Sequence, residues 1–140
     1  MFKDPVWLAG KVSASALAKR FEAVAQNIAN VNTPGYKRKE VEFEDALREA
    51  LESEGLCSAK KVKLEVTDEK HIGSSKSLEK LLKDGFKERV VTQGAYRLDG
   101  NNVDPEVEMA KMTETRLAYN GIMRIMSKRM EMLKAAMGGK

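Results

Sequence analysis

In this 140-residue chain the side chains best suited to covalent or metal chemistry are a single cysteine, Cys57, and a single histidine, His71. A zinc site needs several ligands at coordinating spacing, and no Cys/His cluster surrounds His71. Cys57 lies in "GLCSAKK", where Lys60 and Lys61 would favour the thiolate. With no histidine near it in sequence and no nucleophile elbow, nothing stands ready to take its proton. One cysteine also forbids an intramolecular disulfide. The carboxylates Glu42, Glu44 and Asp45 read as the wet face of a helix, and "IGSS" has neither the glycine spacing nor the lysine of a phosphate loop. The residues thus point to no catalytic, cofactor or metal site.

The cations raise a different possibility. Arg124, Lys128, Arg129 and Lys134 lie close together, and "YKRK" at 36–39 sets an aromatic beside three positive charges. A nucleic-acid-binding helix is the chemistry this would serve, yet only Tyr36 is placed to stack on a base, and a charge run is usually a solvated face. The net charge of +4 is unevenly distributed. Residues 109–140 hold seven Lys/Arg against two Asp/Glu, whereas residues 32–108 hold 14 against 17. Basic ends around an acidic middle suit contact between subunits at least as well as nucleic acid.

The stretch "NIANVNTPGYKR", residues 27–38, concentrates three amides, a proline and a glycine. Asn27 and Asn30 are positioned to hydrogen-bond across an interface or to a returning backbone. Asn32 can take the left-handed conformation that closes a helix. Thr33, before Pro34, is pushed out of the α region, and Pro34-Gly35 is a turn pair. A helix end followed by a tightly specified turn is the expectation.

These residues must be positioned by longer elements. Trp7, Gly10, Ala14, Leu17, Phe21, Val24, Ile28 and Val31 alternate spacings of three and four, the period of a coiled-coil seam. A helix over that span would be about 37 Å long, with Asp4-Pro5 as cap and first-turn proline. Met109, Met112, Arg116, Tyr119, Met123, Met126, Met130, Leu133 and Met137 repeat the pattern, and Ile122 and Ile125 widen it. Asp104 is the expected N-cap of this second helix, with Pro105 at N1 and Glu106 and Glu108 in the dipole-favoured first turn. Between the stripes, "KVKLEVT" (61–67) and "RVVTQGAYRL" (89–98) read as strands, "SLEKLLKDGF" (77–86) as a short helix stopped at Asp84-Gly85, and residues 41–53 as another amphipathic helix. The fold class is mainly α: long N- and C-terminal helices forming a coiled-coil-like pair, with a small mixed α/β or irregular insert. The divisions are 1–35, 36–100 and 101–140. Burying Leu17, Phe21, Val24, Ile28 and Val31 is worth on the order of 10 kcal/mol, against about 1–2 kcal/mol of backbone entropy for each ordered residue. Such a helix requires a partner. No run reaches the roughly 18 apolar residues of a membrane span, and "MFKDPVWLAG" lacks the apolar core of a secretory signal.

Asn27, Ile28, Ala29, Asn30, Thr33, Gly35 and Tyr36 match the N-terminal signature of bacterial flagellar rod and hook proteins, Asn-(Ile/Leu)-Ala-Asn, two residues, Thr, one residue, Gly-(Tyr/Phe). The C-terminal part resembles the closing helix of proximal rod subunits: Asn101 or Asn102, Val103, Asp104, Glu108, Met109, Tyr119, Ser127, Lys128 and Arg129 fall on the matching positions. The chain thus resembles the flagellar basal-body rod family over nearly its whole length, with only loose likeness in residues 56–100. The resemblance implies a non-enzymatic structural subunit of the motility apparatus, located in the periplasm-spanning rod of the basal body. It also implies export through the flagellar type III apparatus without a cleaved signal. The implied partners are other rod subunits, the junction protein linking rod to membrane ring, and the export gate, with self-association in the assembly. A generic coiled-coil adaptor would explain the two stripes but not the Asn-Thr-Gly-Tyr signature.

Overall fold

A computed structural model describes residues 4–56, 77–92, 94 and 98–138. Two long helices dominate: α1, Pro5–Ala29, and α4, Pro105–Ala136. Both begin as the local chemistry dictates. Asp4 and Asp104 sit in extended backbone and accept from the first free N–H groups, Val6 for the one and Glu106 and Val107 for the other, with proline next in line. α1 ends at Ala29, two residues short of the end of its apolar stripe, and Asn30 caps it at φ −102°. The left-handed closure expected of Asn32 does not occur. Among the described residues only glycines have positive φ, and the sharp reversal falls on Gly35 at +71°. Glycine holds that conformation without the steric penalty a Cβ would bring.

α1 and α4 run antiparallel. At one end Arg129 Nη2 donates to Asp4 Oδ2 at 2.6 Å, and at the other Asn27 Nδ2 donates to Glu108 Oε2 at 2.9 Å. Between these ends Met126 lies against Gly10, where an added Cβ would stand 3.0 Å from its sulfur. At 32 residues against 25, α4 is the longer, and it runs on past the start of α1 by about 10 Å.

The remaining elements pack against α1, where Ile122 of α4 also meets the cluster around Phe43. These are β1 (Lys39–Glu40), α2 (Glu44–Ser53), α3 (Leu78–Asp84) and β2 (Arg89–Val90). The helix expected over 41–53 is α2, and that expected over 77–86 is α3, capped by Ser77 and released at Gly85. β1 and β2 pair antiparallel with Lys39 opposite Val90 and Glu40 opposite Arg89. Of the strand expected over 89–98, only Arg89–Val90 forms one among the described residues: residues 91, 92 and 94 are irregular and residue 98 lies in a turn; the strand expected over 61–67 lies outside the described residues. Val12, Ala16 and Ala23 are fully buried. Their small side chains let the insert come close to α1: Val41 and Phe43 close over Ala16, Leu17 and Ala23, while Ala50, Leu78 and Leu81 close over Val12. Phe43 meets Phe86 edge-on, with ring centroids 5.7 Å apart, and the Arg20 guanidinium lies over the Phe43 ring, 4.4 Å from its centroid. Among the described residues, no helix is long and apolar enough to cross a membrane.

Phe43 is therefore the residue that fastens the insert to α1. Phe43→Ala is expected to lower unfolding free energy by about 3 kcal/mol or more, read from urea titration of the helical circular dichroism signal. Phe21→Ala, at a ring 40% exposed, is expected to cost under about 1 kcal/mol in the same assay.

Candidate functional site

The asparagines of the helix exit prove to be hubs. Asn27 is fully buried at the last turn of α1. Its amide nitrogen donates to the Lys39 carbonyl at 2.8 Å and to Glu108 Oε2 at 2.9 Å. Its oxygen accepts from the Lys39 N–H at 2.9 Å and from the Tyr36 hydroxyl at 3.2 Å. Two donors and two acceptor positions are the whole capacity of a carboxamide, and here all four are used. One side chain thereby joins α1, the turn, β1 and α4.

Asn30 works locally. Its amide donates to the Gln26 carbonyl, and its oxygen accepts from the Thr33 hydroxyl, so the exit bends back on the helix it leaves. A second hub faces it from the other half of the chain. Asn101, fully buried, donates to the carbonyls of Asn30, Val31 and Thr33 at 2.9–3.1 Å, while its oxygen accepts from Val103 N–H at 2.8 Å. These carbonyls belong to the turn that follows α1, where those of Asn30 and Thr33 also accept from the Thr33 and Tyr36 N–H groups. Asn102 accepts from Arg38 N–H at 2.7 Å and donates to the Val91 carbonyl at 2.7 Å. Gly35 N–H reaches the Asp99 carbonyl, and Lys37 Nζ the Gly100 carbonyl. The turn of residues 30–38 is thus laced to the segment that leads into α4.

Charge surrounds this lattice. Glu108 is 1% exposed; Oε2 accepts from Asn27, whereas Oε1 has no hydrogen-bond partner and stands 3.7 Å from both Arg38 Nη1 and Lys111 Nζ. Glu40 pairs with Lys111 at 2.8 Å and Arg38 at 2.9 Å. Burial works to raise the Glu40 pKa, but the Lys111 hydrogen bond and the charges of Lys111, Arg38 and Arg89 hold it below the ordinary value. Glu88 takes hydrogen bonds from Lys19 and Lys39, which also lower its pKa. Burial pushes the Tyr36 hydroxyl up, against the lowering effect of Lys39. The arrangement ties elements together and offers no reacting group. Cys57 and His71 lie outside the described residues, and among those described no cluster of acidic, histidine or cysteine side chains is disposed to hold a metal.

The structure brings Asn27, Asn30, Thr33, Gly35, Tyr36, Val103, Asp104 and Glu108 into this one region, with Ile28 and Val31 half-buried beside it and Ala29 exposed. The stripe residues lie elsewhere. Leu17 and Val24 are buried, and Met126 is half-buried on Gly10. Phe21 and Tyr119 line an apolar hollow of about 380 Å³ between α1 and α4. Met109, Met123, Met130 and Leu133 stay substantially exposed. Sequence reasoning passed over the hub role of Asn101 and the pairings of Lys39 with Glu88 and of Lys111 with Glu40. "DGNNVD" reads locally as a turn and cap, and nothing in it announces carbonyls some 70 residues away.

Comparison with known proteins bears on the same stretch. A family profile described as "Flagella basal body rod protein" matches residues 13–37, from the middle of α1 through the asparagine turn. The chain is 30% identical to the flagellar basal body rod protein FlgB of Bacillus subtilis, over 84% of this chain and 81% of that one. It is 33% identical to FlgB of Yersinia enterocolitica over 73% of this chain and 71% of that one, and 29% identical to FlgB of Aeromonas hydrophila over 89% and 86%.

Two outcomes are expected of the lattice. Asn101→Asp replaces the donating amide with an acceptor facing three carbonyls, and should lower unfolding free energy by about 2 kcal/mol or more while accelerating amide exchange at residues 33–36. The lowered carboxylates at Glu40, Glu44 and Glu88 set the acid response. A folded pKa below the unfolded one gives stability that is complete above the unfolded value and is lost as pH falls through the folded value. The urea midpoint should therefore hold steady from neutral pH down to the ordinary glutamate value of 4.5, then fall. Glu88→Gln should flatten that fall.

Proposed function

The chain belongs to the flagellar basal body rod protein family, and on that premise we propose how it takes its place in the rod. It is a structural subunit of the basal-body rod and associates there with other flagellar components. In the proposed arrangement residues 1–35 and 101–140 are the assembly elements, and residues 36–100 form an insert carried on their outside. Asn27, Ile28, Ala29, Asn30, Thr33, Gly35 and Tyr36 set the angle at which α1 hands over to the insert. The stripes on α1 and α4 meet neighbouring subunits. The proximal position follows the likeness to FlgB and the small insert, with the rod–membrane-ring junction protein and the export gate as further neighbours. The route to the rod is the flagellar type III apparatus, and the role is mechanical, without catalysis.

The observation that carries this reading is the open apolar surface of α4 beyond residue 116. Leu117 is 74% exposed, Ile125 66%, Met132 59% and Met137 78%, with Tyr119, Met123, Met130 and Leu133 also substantially exposed. Apolar surface on that scale marks an interaction face. An antiparallel partner covers one side of α4 only, so a helix of this length finds the rest of its cover in neighbours.

Leu117→Glu/Met123→Glu tests this in motile cells whose own copy is deleted. The variant is expected to keep the urea midpoint of the parent within about 1 kcal/mol and to abolish swimming in soft agar. Normal swimming by the variant would overturn the assembly role of α4.

A further inference from the structure

Glu108 has hydrogen-bonding capacity that the lattice leaves unfilled. Its Oε2 is taken by Asn27, but Oε1 accepts from no donor, in a side chain that is 1% exposed. Arg38 Nη1 and Lys111 Nζ stand 3.7 Å from Oε1, outside hydrogen-bond reach. A buried carboxylate oxygen in that state destabilises the fold until a donor reaches it. Glu108 also lines a cavity of about 200 Å³ between α1, β1 and α4.

The walls of the cavity are of two kinds. Ala23, Val24 and Val41 are apolar, whereas Glu40, Glu42, Glu108 and Glu114 supply carboxylates. The cations among the lining residues are already engaged. Arg20 holds the Val41 carbonyl and Glu44, and Lys39 holds Gln26 and Glu88. Glu42 is likewise taken by Arg89. Three carboxylates then remain, Glu40, Glu108 and Glu114, facing two cations, Lys111 and Arg38. Glu114 has no ion-pair partner among the described residues. The cavity is short of one positive charge.

A metal ion is a poor match, because among the described residues no cluster of acidic, histidine or cysteine side chains is disposed to hold one. The volume also lies below the roughly 300–1,000 Å³ of sites for drug-sized ligands, which leaves room for a few heavy atoms. A short alkyl chain matches the apolar wall, and a cationic head with several N–H donors matches Glu108 Oε1 and Glu114. We propose that the cavity binds one guanidinium or primary ammonium group on a short alkyl stem, with Glu108 Oε1 as its acceptor and Glu114 as its counter-charge. A free alkyl amine and an arginine or lysine side chain of another protein share this chemistry.

Titration of the full chain with n-butylguanidinium, followed by amide chemical shifts, tests the site. Saturable shifts are expected at residues 20–24, 39–42 and 108–115, with a dissociation constant on the order of 1 mM. The neutral isostere n-butylurea should leave those amides unmoved. Glu108→Gln should weaken binding about tenfold or more. Glu114 makes no structural bond, so Glu114→Gln should keep the parental urea midpoint and weaken binding about threefold. N-acetylarginine N-methylamide and agmatine distinguish the sources: tighter binding of the first assigns the site to a protein side chain, and tighter binding of the second to a free amine. The absence of saturable shifts with any of the cations, equal shifts with n-butylurea, or unchanged affinity in Glu114→Gln would each overturn the proposal. None of these readouts involves swimming, so their failure leaves the rod reading intact.

Discussion

Everything in this molecule turns on the Asn27 carboxamide. A buried amide with any of its four hydrogen-bonding positions unmet would destabilise the fold by about 1–3 kcal/mol. Here the four are met from three directions, by Tyr36, Lys39 and Glu108. Satisfying it therefore requires that the turn, the strand and the far helix all stand in place together. Aliphatic packing would accept small slides of α4 along α1, because dispersion contacts are nearly direction-blind. The amide does not accept them, and it sets the register of the helix pair at that end. Arg129 and Asp4 set it at the other.

The insert is held to this frame by two means that differ in kind. Around Ala16, Ala23, Phe43 and Phe86 the contact is apolar and close, permitted by the absence of bulk on that side of α1. Around Asn101 and Asn102 it is a set of directional bonds onto the backbone of the turn after α1 and of the segment after β2. The first supplies most of the free energy. The second decides which way the chain turns on leaving α1.

What the sequence revealed, and what it did not, follows from the range of each rule. Asp4-Pro5, Asp104-Pro105 and Asp84-Gly85 mark helix ends through contacts within four residues, and those ends lie where the residues say. The two long helices were legible from periodicity alone, and the family from the spacing of seven residues between Asn27 and Tyr36. The antiparallel sense, the pairing of β1 with β2 and the reach of Asn101 depend on partners about 50 to 125 positions away, which local pattern does not encode. The phase of the buried face of α1 was obscured for another reason. Scanning for large apolar residues picks out Trp7, Phe21 and Ile28, whereas the most deeply buried row includes Val12, Ala16 and Ala23, valued for what they lack. Asn32 was a natural candidate for a left-handed residue, but with Gly35 three positions on, the turn places its reversal there instead.

The open surface of α4 is also chemically unlike an ordinary leucine seam. Five of its exposed side chains, Met109, Met123, Met130, Met132 and Met137, end in thioethers. A thioether reached by peroxide gains an oxygen and becomes a polar, chiral sulfoxide. The buried valines, alanines and phenylalanine of the core have no such reaction open to them. The molecule thus separates its oxidisable surface from its stability: an oxidising environment would rewrite the face that α4 presents to neighbours while the core beneath stayed folded, and reductase repair would write it back.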